Sequence, residues 1–246
     1  MFQYFIQLNL KLLFVLIIFG IIMGKTKQIA TQNFSKKSFG FYIMDFFNLV
    51  GIPIHEFGHL IFGLLFGYHI DKICLYQSTK KAMRQGGTLG FVKMHHKRGN
   101  VFQQFSGDAG QFFIGIGPLI TGPSIILLIG HFLPENIKLL PSTFQEGAHF
   151  FLKSLHQLSG TDIIALFVYL YLIVGVSLNM ELSRQDLQLA LKGLFLLELF
   201  FMILSAAASA FHWNLSYGID FLFQWNLLIS STGIICSLFA NLIALI

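Results

Sequence analysis

The chain alternates between long apolar runs and short polar connections. A helix needs about 20 mostly apolar residues to cross a bilayer. Six stretches reach that length, at roughly 3–23, 40–67, 110–131, 163–180, 187–211 and 221–246. No internal repeat or low-complexity linker separates them. The pattern predicts an all-α membrane protein of about six transmembrane helices, forming one polytopic domain over 1–246.

Two of the connections have a pattern of their own. Between the second and third runs, Ile73-Cys74-Leu75-Tyr76 and Leu89-Gly90-Phe91-Val92-Lys93-Met94 flank Gly86-Gly87. Short apolar segments around a glycine pair predict a small β element of two strands. Between the third and fourth runs, Ser142-Thr143-Phe144-Gln145 has the form of a capping box, and Phe144, Phe151, Leu155 and Leu158 share one helical face. That predicts a short helix lying on the membrane surface. At the N-terminus, the run Leu12 to Met23 resembles a signal-peptide core, yet Gly24-Lys25-Thr26-Lys27 offers no small-x-small cleavage site. The expectation is a retained first span.

Composition supports this reading. Hydrophobic residues make up 55% of the 246 and charged residues 11%. A soluble domain carries roughly 25% charged residues, so this chain lacks the charge to clothe a water-facing surface. Its mean hydropathy of +0.71 agrees. The net charge of +5 comes from basic residues between the apolar runs. There they act as topology signals and headgroup partners, not as a nucleic-acid surface. With alternating spans, more of these cations fall on the side bearing the N-terminus, so both termini are expected to be cytoplasmic. Cys74 and Cys236 are far apart, with neither disulfide-framework nor metal-ligand spacing.

The second span contains His55-Glu56-Phe57-Gly58-His59. In a helix, i and i+4 stand on one face a turn apart. Two imidazoles so placed converge on one Zn²⁺, with metal–nitrogen distances of about 2.0–2.1 Å. Glu56 is offset from that face and suits a different task, taking a proton from the attacking water and passing it to the leaving amine. Ionisable groups within an apolar span are costly and mark functional sites by default. The bland alternative is polar glue between helices.

Two histidines are one ligand short of a catalytic zinc site. The soluble extension H-E-x-x-H-x-x-G-x-x-H fails, because Gly63 is one place late and Leu65 stands at the third-ligand position. Carboxylates elsewhere must supply it: Asp45, Asp71, Asp162, Glu181, Asp186 or Glu198. Asp186 also closes Ser183-Arg184-Gln185-Asp186, a capping-box pattern that would hold an acid there without any metal. If the fourth and fifth spans form an up-and-down pair, Asp186 and His59 lie toward the same side, whereas Asp45 and Asp162 lie at the other end. Glu181 is the reserve. Glu198 falls inside the fifth span, either as a partner of a ligating imidazole or as a buried carboxyl. Gly115, Gly117, Pro118, Gly122 and Pro123 are expected to break the third span, as a flexible element beside the site or as a packing kink.

The H-E-x-x-H motif in an apolar span, followed by Leu178-Asn179-Met180-Glu181-Leu182-Ser183-Arg184-Gln185-Asp186-Leu187 near a later one, resembles the site-2 protease family of intramembrane zinc metalloproteases. The resemblance implies an endopeptidase cutting in or near transmembrane segments of membrane-protein substrates. It implies zinc held by His55, His59 and Asp186, Glu56 as catalytic base, and Asn179 as a polar residue near substrate. No proline lies between Asn179 and Asp186, and Leu187 replaces the glycine that follows the acid in the family pattern. The competing expectations are a membrane zincin that cuts at the bilayer surface with Glu181 or Glu198 as ligand, and a metal-binding scaffold or permeation protein.

Overall fold

The computed structural model describes residues 2–37, 39–84, 88–96, 99–133 and 159–245. The expected surface helix over 142–158 and the Gly86-Gly87 turn lie outside these. Six helices are long and apolar enough to cross a membrane, and one small sheet accompanies them. In chain order they are α1 (Phe2–Ser35), α2 (Gly40–Leu65), β1 (Tyr68–Cys74), the short α3 (Thr79–Arg84), β2 (Phe91–His96), α4 (Val101–His131), α5 (Gly160–Ser177), α6 (Arg184–Ala210) and α7 (Ser216–Leu245). The helices carry large apolar side chains outward, such as Phe46, Phe167, Phe195 and Ile235, a surface suited to lipid. The all-α membrane class with a β element between the second and third spans is therefore the observed one.

Several boundaries differ from the sequence reading for local reasons. The first helix runs on to Ser35, past Lys25 and Lys27, and Lys27 pairs with Glu181. Within it, Asn9–Phe14 is wound as a π-helix. α2 stops where Gly67 takes φ +76°, a left-handed residue that turns the chain into β1. The antiparallel pair β1–β2 begins and ends nearer the flanking helices than expected, with Tyr68 opposite His96 and Cys74 opposite Phe91. α4 is unbroken over Val101–His131 despite Pro118 and Pro123. Its glycines serve close packing instead. A Cβ on Gly117 would lie 2.7 Å from the Gly58 carbonyl oxygen of α2, and one on Gly115 would lie 2.5 Å from the Asp186 carbonyl oxygen.

The main correction concerns direction. Moving along α4 from Gly130 to Gly122 to Gly115 and on to Asp108, the neighbours are Tyr169, then Met180, then Asp186 and Ala190, then Gly193. α5 and α6 therefore follow one another in the same sense along a single antiparallel partner. They are not an up-and-down pair. The segment 178–183 is an interruption in a continuing path, lying beside the middle of α2. Ser183 and Asp186 form the capping box that restarts the helix.

α7 runs parallel to α1, with Asn226 beside Leu12 and Ser237 beside Thr26. Phe2 and Leu245 consequently lie at opposite ends of the bundle. The shared side expected for both termini rested on a reversal between α5 and α6 that the fold does not make. Three apolar clusters run from one end to the other: around Leu8, Phe112 and Ile219; around Phe19, Leu119 and Met180; and around Phe34, Val174 and Ala244. The interruption borders the middle cluster through Met180, which is 1% exposed.

Candidate metal centre

α2, α4 and the start of α6 meet where glycines let the helices approach. A Cβ on Gly58 would lie 2.8 Å from the Pro118 nitrogen, so the helices touch backbone to backbone. Their closeness brings His59, one residue on, against the main chain of α4. His59 Nδ1 lies 2.7 Å from the Ile114 carbonyl oxygen. His55 Nδ1 lies 2.7 Å from the Asn179 carbonyl oxygen in the interruption. A carbonyl only accepts, so both rings carry N–H on Nδ1 when neutral and turn their Nε2 lone pairs the other way.

Those lone pairs converge. The two Nε2 atoms stand 3.2 Å apart. Asp186 Oδ1 is 3.2 Å from His59 Nε2, and Oδ2 is 3.6 Å from His55 Nε2. Ligands at about 2.0–2.1 Å around a tetrahedral zinc stand about 3.4 Å apart. The three separations bracket that spacing. Two neutral imidazoles with facing lone pairs repel unless something cationic stands between them. The donor set of two imidazoles and one carboxylate therefore fits a divalent metal, and His55, His59 and Asp186 form a group that could hold one. Among the described residues no other such group of three exists.

Asp186 serves as the cap of α6 and is also placed for the other role open to it from spacing. Its Oδ2 accepts from the Ser183 backbone N–H at 2.7 Å, and its own N–H is taken by Ser183 Oγ. The cap aims the carboxylate while Oδ1 stays directed at His59. The other candidate ligands are engaged elsewhere. Glu181 pairs with Lys27 at 2.8 Å. Glu198 accepts from Asn9 at 3.2 Å and touches neither imidazole. Asp71 holds His95 at 2.7 Å, and Asp162 caps α5. Asp45 lies at the opposite end of α2, with Tyr76 on its carbonyl.

Glu56 is 8% exposed and points off the ligand face, toward the hairpin. A Cβ on Gly90 would lie 2.9 Å from Glu56 Cγ and 3.0 Å from Oε1, so only glycine lets the strand come this close. The Val92 amide faces the same carboxylate. Asn179 has a structural role beside the expected one. Its side-chain N–H groups go to Asn48 Oδ1 and the Gly175 carbonyl, each at 3.0 Å, so its amide nitrogen braces the interruption while the residue also borders the cavity.

A cavity of about 940 Å³ opens onto this group, lined by His55, Glu56, His59 and Asp186 on one wall and by Leu89 to Met94 on the other. β2 has only β1 as a sheet partner, so its second edge is unpaired among the described strands. The sequence reading missed the two orienting carbonyls and the approach of Gly90 to Glu56. The first carbonyl had a signal in the chain, since Pro118 stands four residues after Ile114. Comparison of the chain with protein-family models, with curated proteins and with solved structures gives no match.

Proposed function

We propose that this protein is a zinc metalloendopeptidase that hydrolyses peptide bonds in or near the transmembrane segments of membrane proteins, in the manner of the site-2 protease family. One observation carries the reading. Two Nε2 atoms and a carboxylate oxygen converge at ligand spacing, and the adjacent Glu56 is held off that set with its carboxylate in the cavity.

His55, His59 and Asp186 would hold the ion. When bound, zinc acidifies water and polarises a carbonyl. Glu56 takes the proton from the attacking water and delivers it to the departing amine nitrogen as the C–N bond breaks. The carbonyls of Asn179 and Ile114 keep both imidazoles in one tautomer and orientation throughout.

A substrate helix has its carbonyls already hydrogen-bonded, and its scissile bond is shielded by neighbouring turns. It must unwind before it can be cut. The unpaired edge of β2 offers an unwound segment the backbone partners it has lost, as an added strand beside Glu56. The apolar outer surface of the helices suits a protein that meets its substrates within the bilayer.

The test is Glu56→Gln in the full chain in lipid, assayed with membrane-anchored substrates. The expected result is stoichiometric zinc, an unchanged fold and cleavage lowered about 10²–10⁴-fold. Cleavage retained at the wild-type rate would remove Glu56 from its role, and a purified chain without zinc would end the reading.

A further inference from the structure

His59 takes a main-chain carbonyl from the interior of an unbroken helix, where none is free by default. In an α-helix the carbonyl of Ile114 belongs to the N–H four residues on. That residue is Pro118, which has no N–H, and whose ring crowds the carbonyl of residue i−4 off the helix axis. Pro118 is fully buried in the middle of α4, at the point where α4 touches Gly58. The released carbonyl is the one His59 Nδ1 reaches at 2.7 Å. Pro123 repeats the device five residues later and releases the carbonyl of Leu119, yet no imidazole bonds to that oxygen among the described residues. The two prolines are thus chemically alike, and only one stands over the metal centre.

We propose that Pro118 is a positioning residue for the metal centre. By withholding the N–H due to Ile114 and tipping that carbonyl outward, it gives His59 the acceptor that keeps Nε2 turned toward His55 and Asp186. This inference rests on the metal-centre reading above.

The two possible roles of a buried helix proline give opposite signatures. Replacing Pro118 with alanine restores a helix hydrogen bond and relaxes the turn, so the fold should melt at a higher temperature. The Ile114 carbonyl then swings back to the axis, and His59 loses its support. Changing such an orienting partner lowers metal affinity about 10- to 100-fold. A proline that serves only the shape of α4 would leave zinc affinity unchanged or improve it along with stability.

The experiment uses the full chain in detergent micelles. It measures zinc affinity by competition with a chelating indicator, the melting temperature, and the visible spectrum of the cobalt-substituted protein. The variants are Pro118→Ala, Pro118→Ser and Pro123→Ala. Pro118→Ala should bind zinc at least ten-fold more weakly, with a shifted cobalt spectrum, while melting no lower than wild type. Pro118→Ser should weaken binding at least as much, because a serine hydroxyl also bonds the carbonyl four residues back. Pro123→Ala should leave zinc affinity within about two-fold of wild type. Pro118→Ala binding zinc as tightly as wild type would overturn the inference alone, and so would Pro123→Ala weakening it equally. A wild-type chain that takes up no zinc would end both this inference and the reading beneath it.

Discussion

Two clusters of polar groups sit among the apolar helices, and they are built differently. At the first, His55, His59 and Asp186 point their lone pairs at one another, and the hydrogen bonds they make all face outward to carbonyls or to the Ser183 amide. At the second, where α1, α6 and α7 meet, the groups pair off. Asn9 donates to Glu198, Lys11 meets Asp220, and Asn226 donates to the Lys11 and Leu12 carbonyls of the π-helical stretch. Each donor there faces an acceptor, so the cluster is complete as it stands. At the first, acceptors face acceptors when both rings are neutral, an arrangement that a cation between them would complete. Among ionisable residues of the spans, unused valence that converges with others singles out the candidate site. Glu198 and Asp186 are both candidate ligands in sequence, and this distinction separates them.

The comparison is sharpest at Glu56. Its loss should affect the first cluster's chemistry without touching its valence. Glu56→Gln should lower cleavage by about 10²–10⁴-fold, the usual contribution of a positioned base, with zinc content unchanged. Next in size come the two rival carboxylates. Asp186→Ala should weaken zinc binding more than about 100-fold, beyond the range of changes around a ligand. It should also cost about 1 kcal/mol of stability through the lost bond from the Ser183 N–H, with Ser183 still capping the helix. Glu198→Gln should leave zinc affinity as it was. Chelator titration of the two variants side by side measures this. If Glu198→Gln lost the metal and Asp186→Ala kept it, the distinction between converging and paired groups would fail.

A smaller effect is expected where the hairpin meets the base. Gly90→Ala puts a methyl group against Glu56 Cγ and Ile52 Cγ2, at 2.9 and 2.6 Å before relaxation. The strand must withdraw. Zinc should remain, since no ligand is touched, while kcat/KM falls about 10- to 100-fold, as a displacement of the order of 1 Å can produce. Steady-state cleavage alongside metal analysis gives both numbers. An equal loss of zinc would mean that the hairpin supports the ligand set rather than the base.

What the sequence disclosed follows the range of the interactions. The spans were legible because lipid demands an apolar run of fixed length, a local property. The histidine pair was legible because helical spacing alone puts both rings on one face. Asp186 was legible as one of two things, a cap or a ligand, and it is placed to act as both. The direction of α6 was not legible. Hydropathy reports length, and two apolar helices joined by six residues read the same whether the chain turns back or carries on. The deciding contacts, Gly115 against Asp186 and Gly193 against Phe112, join residues more than 70 apart and depend on missing side chains. The second role of Asn179 was hidden for a like reason. Its partner Asn48 lies 131 residues away.

The smallest effect belongs to the second cluster and tests whether it is only glue. Asn226 donates to two carbonyls of the π-helical stretch, at 3.3 and 2.9 Å. Asn226→Leu keeps the volume and removes both bonds. Hydrogen bonds between helices in a bilayer contribute about 0.6 kcal/mol on average and at most about 1.7. The expected outcome is a destabilisation of about 0.5–1.5 kcal/mol in denaturant titration, with zinc affinity and cleavage unchanged. If the variant instead lost zinc or activity while remaining folded, the paired groups at the α1–α7 contact would be coupled to the metal centre. Complete pairing would then no longer mark a cluster as structural.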